Sequence, residues 1–157
     1  MSRSLRSALC LLGVLAGTAV ARAEAQFQVD PTMVELAAGA QSGAVIVTNH
    51  GSAPLRLETS VFAWAESPDG GMVLTPTSQV VVRPALLEVP PGGSRTLRVG
   101  SLASAGAAEQ SFRMFVEELP DRSAAQATGV RVLTRLGVPV FIAPAQRRQA
   151  ITVTPSD

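Results

Sequence analysis

Short β-type runs, each cut off by glycine, proline or asparagine, recur at nearly regular intervals along this chain and leave little room for a helix. The first spans Phe27 to Leu36, and beyond Gly39 and Gly43 comes Ala44-Val45-Ile46-Val47-Thr48. Asn49-His50-Gly51-Ser52 reads as a turn. Leu55 to Trp64 reads as the next strand, with Leu55, Leu57, Val61 and Phe62 as its apolar members. Ser67-Pro68-Asp69-Gly70-Gly71 carries strong turn chemistry. Met72-Val73-Leu74 and Val80-Val81-Val82 are short strands, followed by Pro84. Pro90-Pro91-Gly92-Gly93 then turns the chain into Thr96-Leu97-Arg98-Val99. Phe112 to Leu119 and Gly129 to Ile142 complete the series, with small, polar connections at Ser101 to Glu109 and Asp121 to Thr128. About seven strands at this spacing, without a helical period, predict an all-β, immunoglobulin-like sandwich.

The N-terminus reads as an address. Arg3 and Arg6 precede an apolar run from Ala8 to Val20, and Ala21-Arg22-Ala23 supplies the small-x-small pattern of a signal-peptidase site. The run of 13 residues is too short to cross a hydrocarbon core of about 30 Å as a helix. Residues 1–23 are therefore expected to be a signal peptide, with Ala23-Glu24-Ala25 as a second cleavage site. Cys10 follows Leu9 near the start of the apolar run, the wrong place for lipid attachment. Cleavage after Ala23 leaves 134 of the 157 residues and no cysteine, so the secreted part must be stabilised by core burial. There is no lysine. Without Arg3, Arg6 and Arg22 the remaining arginines stand against 12 acids for a net charge of −2. That balance points neither to nucleic acid nor to an anionic membrane.

The last run has a pattern of its own. Val130, Val132, Leu136, Val138, Val140 and Ile142 share one parity, interrupted by Thr134, and Arg131 and Arg135 lie on the other. Period two gives a strand one apolar row and one polar row. Two readings stay open: a half-buried core strand, or an edge strand that offers its row to a partner. A free apolar edge is an aggregation hazard that natural proteins keep only when they use it.

Catalytic patterns are missing. The single histidine, His50, sits in a turn, and no His, Cys or carboxylate spacing suits a metal. There is no nucleophile elbow, and Gly92-Gly93 precedes a strand instead of a helix, so it cradles no phosphate. Glu117 and Glu118 project to opposite faces of a strand, a poor arrangement for paired acid–base work. The reading is of a non-enzyme with no cofactor and no metal.

The order of motifs resembles the N-terminal domain of the PapD-like periplasmic pilus-assembly chaperones. Phe27-x-Val29-x-Pro31-x-x-Val34-x-Leu36 is similar to that family's first strand, and Ala44 to Asn49 to its second. Val61-Phe62-Ala63-Trp64 resembles its tryptophan-bearing strand. Arg83-Pro84, Val89-Pro90-Pro91-Gly92 and Leu97-Arg98-Val99 follow in the family's order. Gln110 to Phe115 with Glu118-Leu119-Pro120, and Pro139-Val140-Phe141-x-x-Pro144, resemble its closing strands. The resemblance implies residues 24–144 as the chaperone domain and 145–157 as an inter-domain linker or the start of a second domain.

It also implies a periplasmic chaperone of pilus subunits, delivering them to an outer-membrane usher and donating its last strand to complete the subunit's sandwich. Val130, Val132, Thr134, Leu136 and Val138 would be the subunit-binding residues. Many members hold the subunit's terminal carboxylate with an arginine on the first strand and a lysine on the last. Those positions here are Met33 and Pro139, neither of which holds an anion. An arginine in Gln110-x-x-Arg113 resembles the archaic, Csu-type branch and makes Arg113 the expected anchor, against the alternative of a surface arginine paired with Glu117 or Glu118. The competing functional class is a secreted immunoglobulin-like structural or adhesive surface domain without chaperone activity.

Overall fold

Two prolines decide where the chain changes sheets. In the computed structural model, which describes residues 27–40, 42–120 and 132–146, the first run is two strands, β1 (Phe27–Asp30) and β2 (Val34–Leu36). Pro31 stands between them, and without an N–H it cannot carry a ladder through. β1 pairs antiparallel with β3 (Ser42–Asn49), whereas β2 pairs in parallel with β10 (Arg135–Ile142) in the other sheet. Pro84 acts alike: β6 (Val80–Arg83) belongs to the first sheet and β7 (Leu86–Val89), a strand not expected from the sequence, pairs with β4 (Leu55–Glu66) in the second. Splitting the first run at Pro31 and adding β7 raises the eight runs read from the sequence to ten strands among the described residues.

The remaining strands are β5 (Met72–Pro76), β8 (Ser94–Ser101) and β9 (Gln110–Glu118). The first sheet has four strands in the order β1-β3-β8-β6; the second has six, β2-β10-β9-β4-β5, with β7 beside β5 on the long edge of β4. Period-two burial on each strand fills the space between them. Val45 and Val47 of β3, Leu97 and Val99 of β8 and Val80 and Val82 of β6 face Leu57 of β4, Phe112, Met114 and Val116 of β9 and Val138, Val140 and Ile142 of β10. Each such side chain stabilises the fold by about 1.5–3 kcal/mol relative to exposure. The described residues contain no cysteine, so no disulfide within them adds to that stability.

One polar side chain ties the turns together. Asn49 is buried, and its Nδ2 donates to the carbonyls of Ala53 (2.8 Å) and Val89 (3.0 Å) while its Oδ1 accepts from Gly51 N–H (2.8 Å). Pro90-Pro91-Gly92-Gly93 closes with Gly93 N–H on Pro90 O at 3.0 Å. Gly92 takes the positive φ of 64° that this turn's third position demands.

Candidate partner-binding edge and cationic anchor

β10 is paired unevenly. On one side it runs along β9 for its full length, from Arg135↔Glu117 to Ile142↔Gln110. On the other, β2 reaches only Val140, Phe141 and Ile142. Residues 135–139 therefore have no strand beside them among the described residues, and their backbone groups on that side lack ladder partners. The opening leads inward to a cleft of about 420 Å³ at the seam between the sheets, floored by Phe27, Val29 and Val138 with His50 at its rim.

The chain enters β10 through an unusual pair. Glu118 N–H donates to Thr134 O at 2.9 Å, but Thr134 N–H goes to the Glu118 side chain, Oε2, at 3.3 Å. Upstream, Val132 is 78% exposed and Leu133 is exposed too.

The outer face of the same sheet carries the arginines. Arg113 on β9 lies between Phe62 of β4 and Pro139 of β10. Its guanidinium carbon sits 5.4 Å from the Trp64 ring centroid. Gly137 makes the space for it: a Cβ there would stand 3.4 Å from Arg113 Cδ and 3.3 Å from Phe115 Cε1. Arg135 stacks at 3.9 Å over Phe115, which meets Phe62 edge-on at 6.0 Å, and its Nε pairs with Glu117 at 3.3 Å. Glu117 is thus committed to Arg135 and Glu118 to Thr134. Among the described residues Arg113 has no carboxylate partner, and its buried Nε has no acceptor. No three His, Cys, Asp or Glu side chains converge on a metal position in the described part.

The expected site residues separate on this structure. Arg113 is placed beside β10, as the cross-strand neighbour of Pro139. The strand begins at Arg135 and not at Gly129, so Val132 and Thr134 lie ahead of it. Val130 lies outside the described residues. The apolar row does not point outward: Val138, at 3% exposure, and Val140 and Ile142 face the domain's own core, and Leu136 packs half-buried at its rim. An edge strand of a sandwich still has one face on the core, and period two puts the whole row there. The alternative pairing of Arg113 with Glu117 or Glu118 is not what forms. Glu118, weighed in the sequence only beside Glu117 and as a partner of Arg113, instead continues the inward parity of Phe112, Met114 and Val116 and meets Thr134 N–H.

Residues 26–148 match the family of pili and flagellar-assembly chaperones, PapD N-terminal domain. The chain belongs to this family. As a chaperone domain, it is similar in fold to the chaperone of the CsuC–CsuE chaperone–tip subunit pre-assembly complex from archaic Csu pili of Acinetobacter baumannii. That match has a TM-score of 0.65 and 23% identity and covers 76% of this chain and 52% of that one. The SafB chaperone complex with the SafA pilin of Salmonella enterica gives TM-score 0.60 and 18% identity, over 75% and 54%. The CupB2 chaperone of Pseudomonas aeruginosa gives 0.56 and 19%, over 75% and 55%. The chain spans little more than half the length of these structures, and at these identities the likeness is one of fold. None of the curated proteins compared matches it in sequence. Met33 is exposed and apolar, and Pro139 faces Arg113 one strand away at the same level of the sheet.

Proposed function

We propose that this chaperone domain captures pilus subunits along the free edge of β10, in the periplasm after removal of its signal peptide, for delivery to an outer-membrane usher. The observation that carries the reading is the uneven cover of β10. β2 stops at Val140, and among the described residues the backbone from Arg135 to Pro139 has no strand beside it on that side and Arg113 has no carboxylate partner. A subunit strand added to this edge gains main-chain hydrogen bonds, and alternate side chains set its preference. Val130, Val132 and Leu136 supply apolar side chains on either side of Thr134, and Val138 contributes backbone, since its side chain is in the core. Arg113 holds a carboxylate of the client. A guanidinium offers two parallel donors to the two carboxylate oxygens and stays charged at any periplasmic pH.

The test is co-purification of a coexpressed pilus subunit. Val132→Asp puts a charge into an apolar groove and is expected to abolish capture while the free domain stays folded. Arg113→Lys keeps charge but loses the fork and weakens capture; Arg113→Ala weakens it further. Full capture by Arg113→Ala moves the anchor elsewhere, to Arg83, Arg98 or Arg135. Equal loss of folding and capture in Val132→Asp returns the segment to an ordinary structural role.

A further inference from the structure

Glu118 is the one carboxylate in the buried set of the described residues, at 5% exposure, next in parity after Phe112, Met114 and Val116. A buried carboxylate is costly unless its oxygens find donors. The donor here is unusual. In a regular antiparallel ladder, two residues that face each other across a hydrogen-bonded site exchange both backbone bonds. Glu118 and Thr134 exchange only one, Glu118 N–H to Thr134 O at 2.9 Å; the return bond from Thr134 N–H ends on the carboxylate at 3.3 Å. A side-chain oxygen has replaced the main-chain one. The ladder that is regular from Ile142 to Arg135 thus closes at Thr134.

Glu118 itself is fixed. Its neighbour Leu119 donates its N–H to Arg56 O on β4 at 2.9 Å, so the end of β9 is held from the far side. Two residues before Thr134 the chain presents Val132, 78% exposed, and between them the exposed Leu133. A Leu or Met at position 118 would suit the apolar parity better. It would also leave Thr134 N–H without its acceptor and the lead-in without its direction.

We infer that Glu118 is a positioning residue for partner capture: its buried carboxylate, by taking the Thr134 N–H from the ladder, aims Val132 and Leu133 outward beside the open edge of β10. The functional part rests on the reading of that edge as the subunit-binding site; the geometric part does not.

Two variants separate these. Glu118→Gln keeps a carbonyl oxygen in place, and Glu118→Met fills the same buried volume without an acceptor. Amide hydrogen exchange of Thr134 is measured relative to Val116, so that any global change in stability cancels. Glu118→Met is expected to speed the Thr134 exchange at least tenfold, with a melting temperature at or above that of wild type, and Glu118→Gln to stay within threefold of wild type. Unchanged Thr134 exchange in Glu118→Met overturns the inference. The same proteins are then coexpressed with a pilus subunit. Capture is expected to fall at least threefold in Glu118→Met and to recover in Glu118→Gln. Faster exchange with full capture shows that Glu118 orders Thr134 but does not serve binding, and overturns the positioning role. If wild type captures nothing, it is the reading of the edge that fails, and the exchange ratio still decides whether the carboxylate holds Thr134.

Discussion

The two halves of β10 share one alternating pattern and meet opposite surroundings. Val140 and Ile142 lie in a strand paired on both sides, by β9 and β2, with their side chains in the core. Arg135 to Pro139 lie in the same strand with, among the described residues, β9 on one side only, and Val132 and Leu133 ahead of it are exposed. The apolar row is the same; the cover differs, because β2 is three residues long and Pro31 keeps it from continuing into β1. An apolar parity therefore identifies a strand that needs a covering, but not whether the covering comes from its own chain or from a partner.

The sharpest way to break the comparison is to put the same charge in the covered half and in the segment that leads into the open one. Val140→Asp is expected to cost about 4 kcal/mol or more by burying an unpaired carboxylate, enough to unfold a domain of ordinary stability. Val132→Asp, at a highly exposed position, is expected to change folding by less than about 0.5 kcal/mol. Urea denaturation of both compares them directly, and similar midpoints would erase the distinction between the halves.

A smaller effect tests the cover itself. Gly43 of β3 lies opposite β2, and a Cβ there would come within 3.1 Å of Val34 Cγ1 and 3.2 Å of Leu36 Cδ2. Both side chains are buried in the core, so Gly43→Ala is expected to cost about 1–2 kcal/mol through overpacking. It should also loosen β2 from β10, which hydrogen exchange at Ala143, whose N–H donates to Leu36 O at 2.9 Å, reports. Slower exchange there would mean that the added methyl tightens the cover.

Arg135→Ala removes an ion pair with Glu117 whose partners are both about half exposed, and a stack on Phe115. Exposed pairs are worth about 0.2–1 kcal/mol and are screened by salt. The expected loss is below about 1 kcal/mol, mostly gone in molar salt. A larger, salt-resistant loss would show that the open half depends on this arginine to stay in register.

The smallest effect lies far from β10, in the turn between β4 and β5. The Ser67 hydroxyl donates to the Asp69 carboxylate and, with nearby backbone N–H groups, holds its pKa below the ordinary 3.8. A depressed folded pKa stabilises above the unfolded value, so this contribution is complete at neutral pH and is lost as pH falls through the folded pKa. An NMR titration of the Asp69 carboxyl should show a midpoint below 3.8 that rises in Ser67→Ala. A normal midpoint in wild type would remove the turn's acid sensitivity.

Much of this was legible in the sequence. The turns at Asn49, Ser67 to Gly71 and Pro90 to Gly93, and the inward parities of β3, β8 and β9, follow from residue chemistry that acts over a few neighbours. The start of β10 was not. The alternation of Val130 and Val132 continues smoothly into Leu136, yet the ladder ends at Arg135, because a side chain sixteen positions earlier in the chain takes up Thr134 N–H. Local pattern carries no sign of that acceptor. Likewise β7 hides in Leu86 to Val89 between two prolines, and becomes a strand only because β4 is long enough to receive it.

The sequence by itself determined the all-β sandwich, the turns that bound most of its strands, the family and the lone arginine in Gln110-x-x-Arg113. Those depend on period, turn residues and missing N–H groups, all fixed by neighbours along the chain. Only the tertiary structure decided which side of β10 is unpaired among the described residues, that Val138, Val140 and Ile142 face home, and that within the described part Arg135 takes Glu117 and Thr134 takes Glu118, leaving Arg113 without a carboxylate there. Those are outcomes of competition between residues far apart in sequence for a limited set of partners, and a competition of that kind is settled only when the strands are side by side.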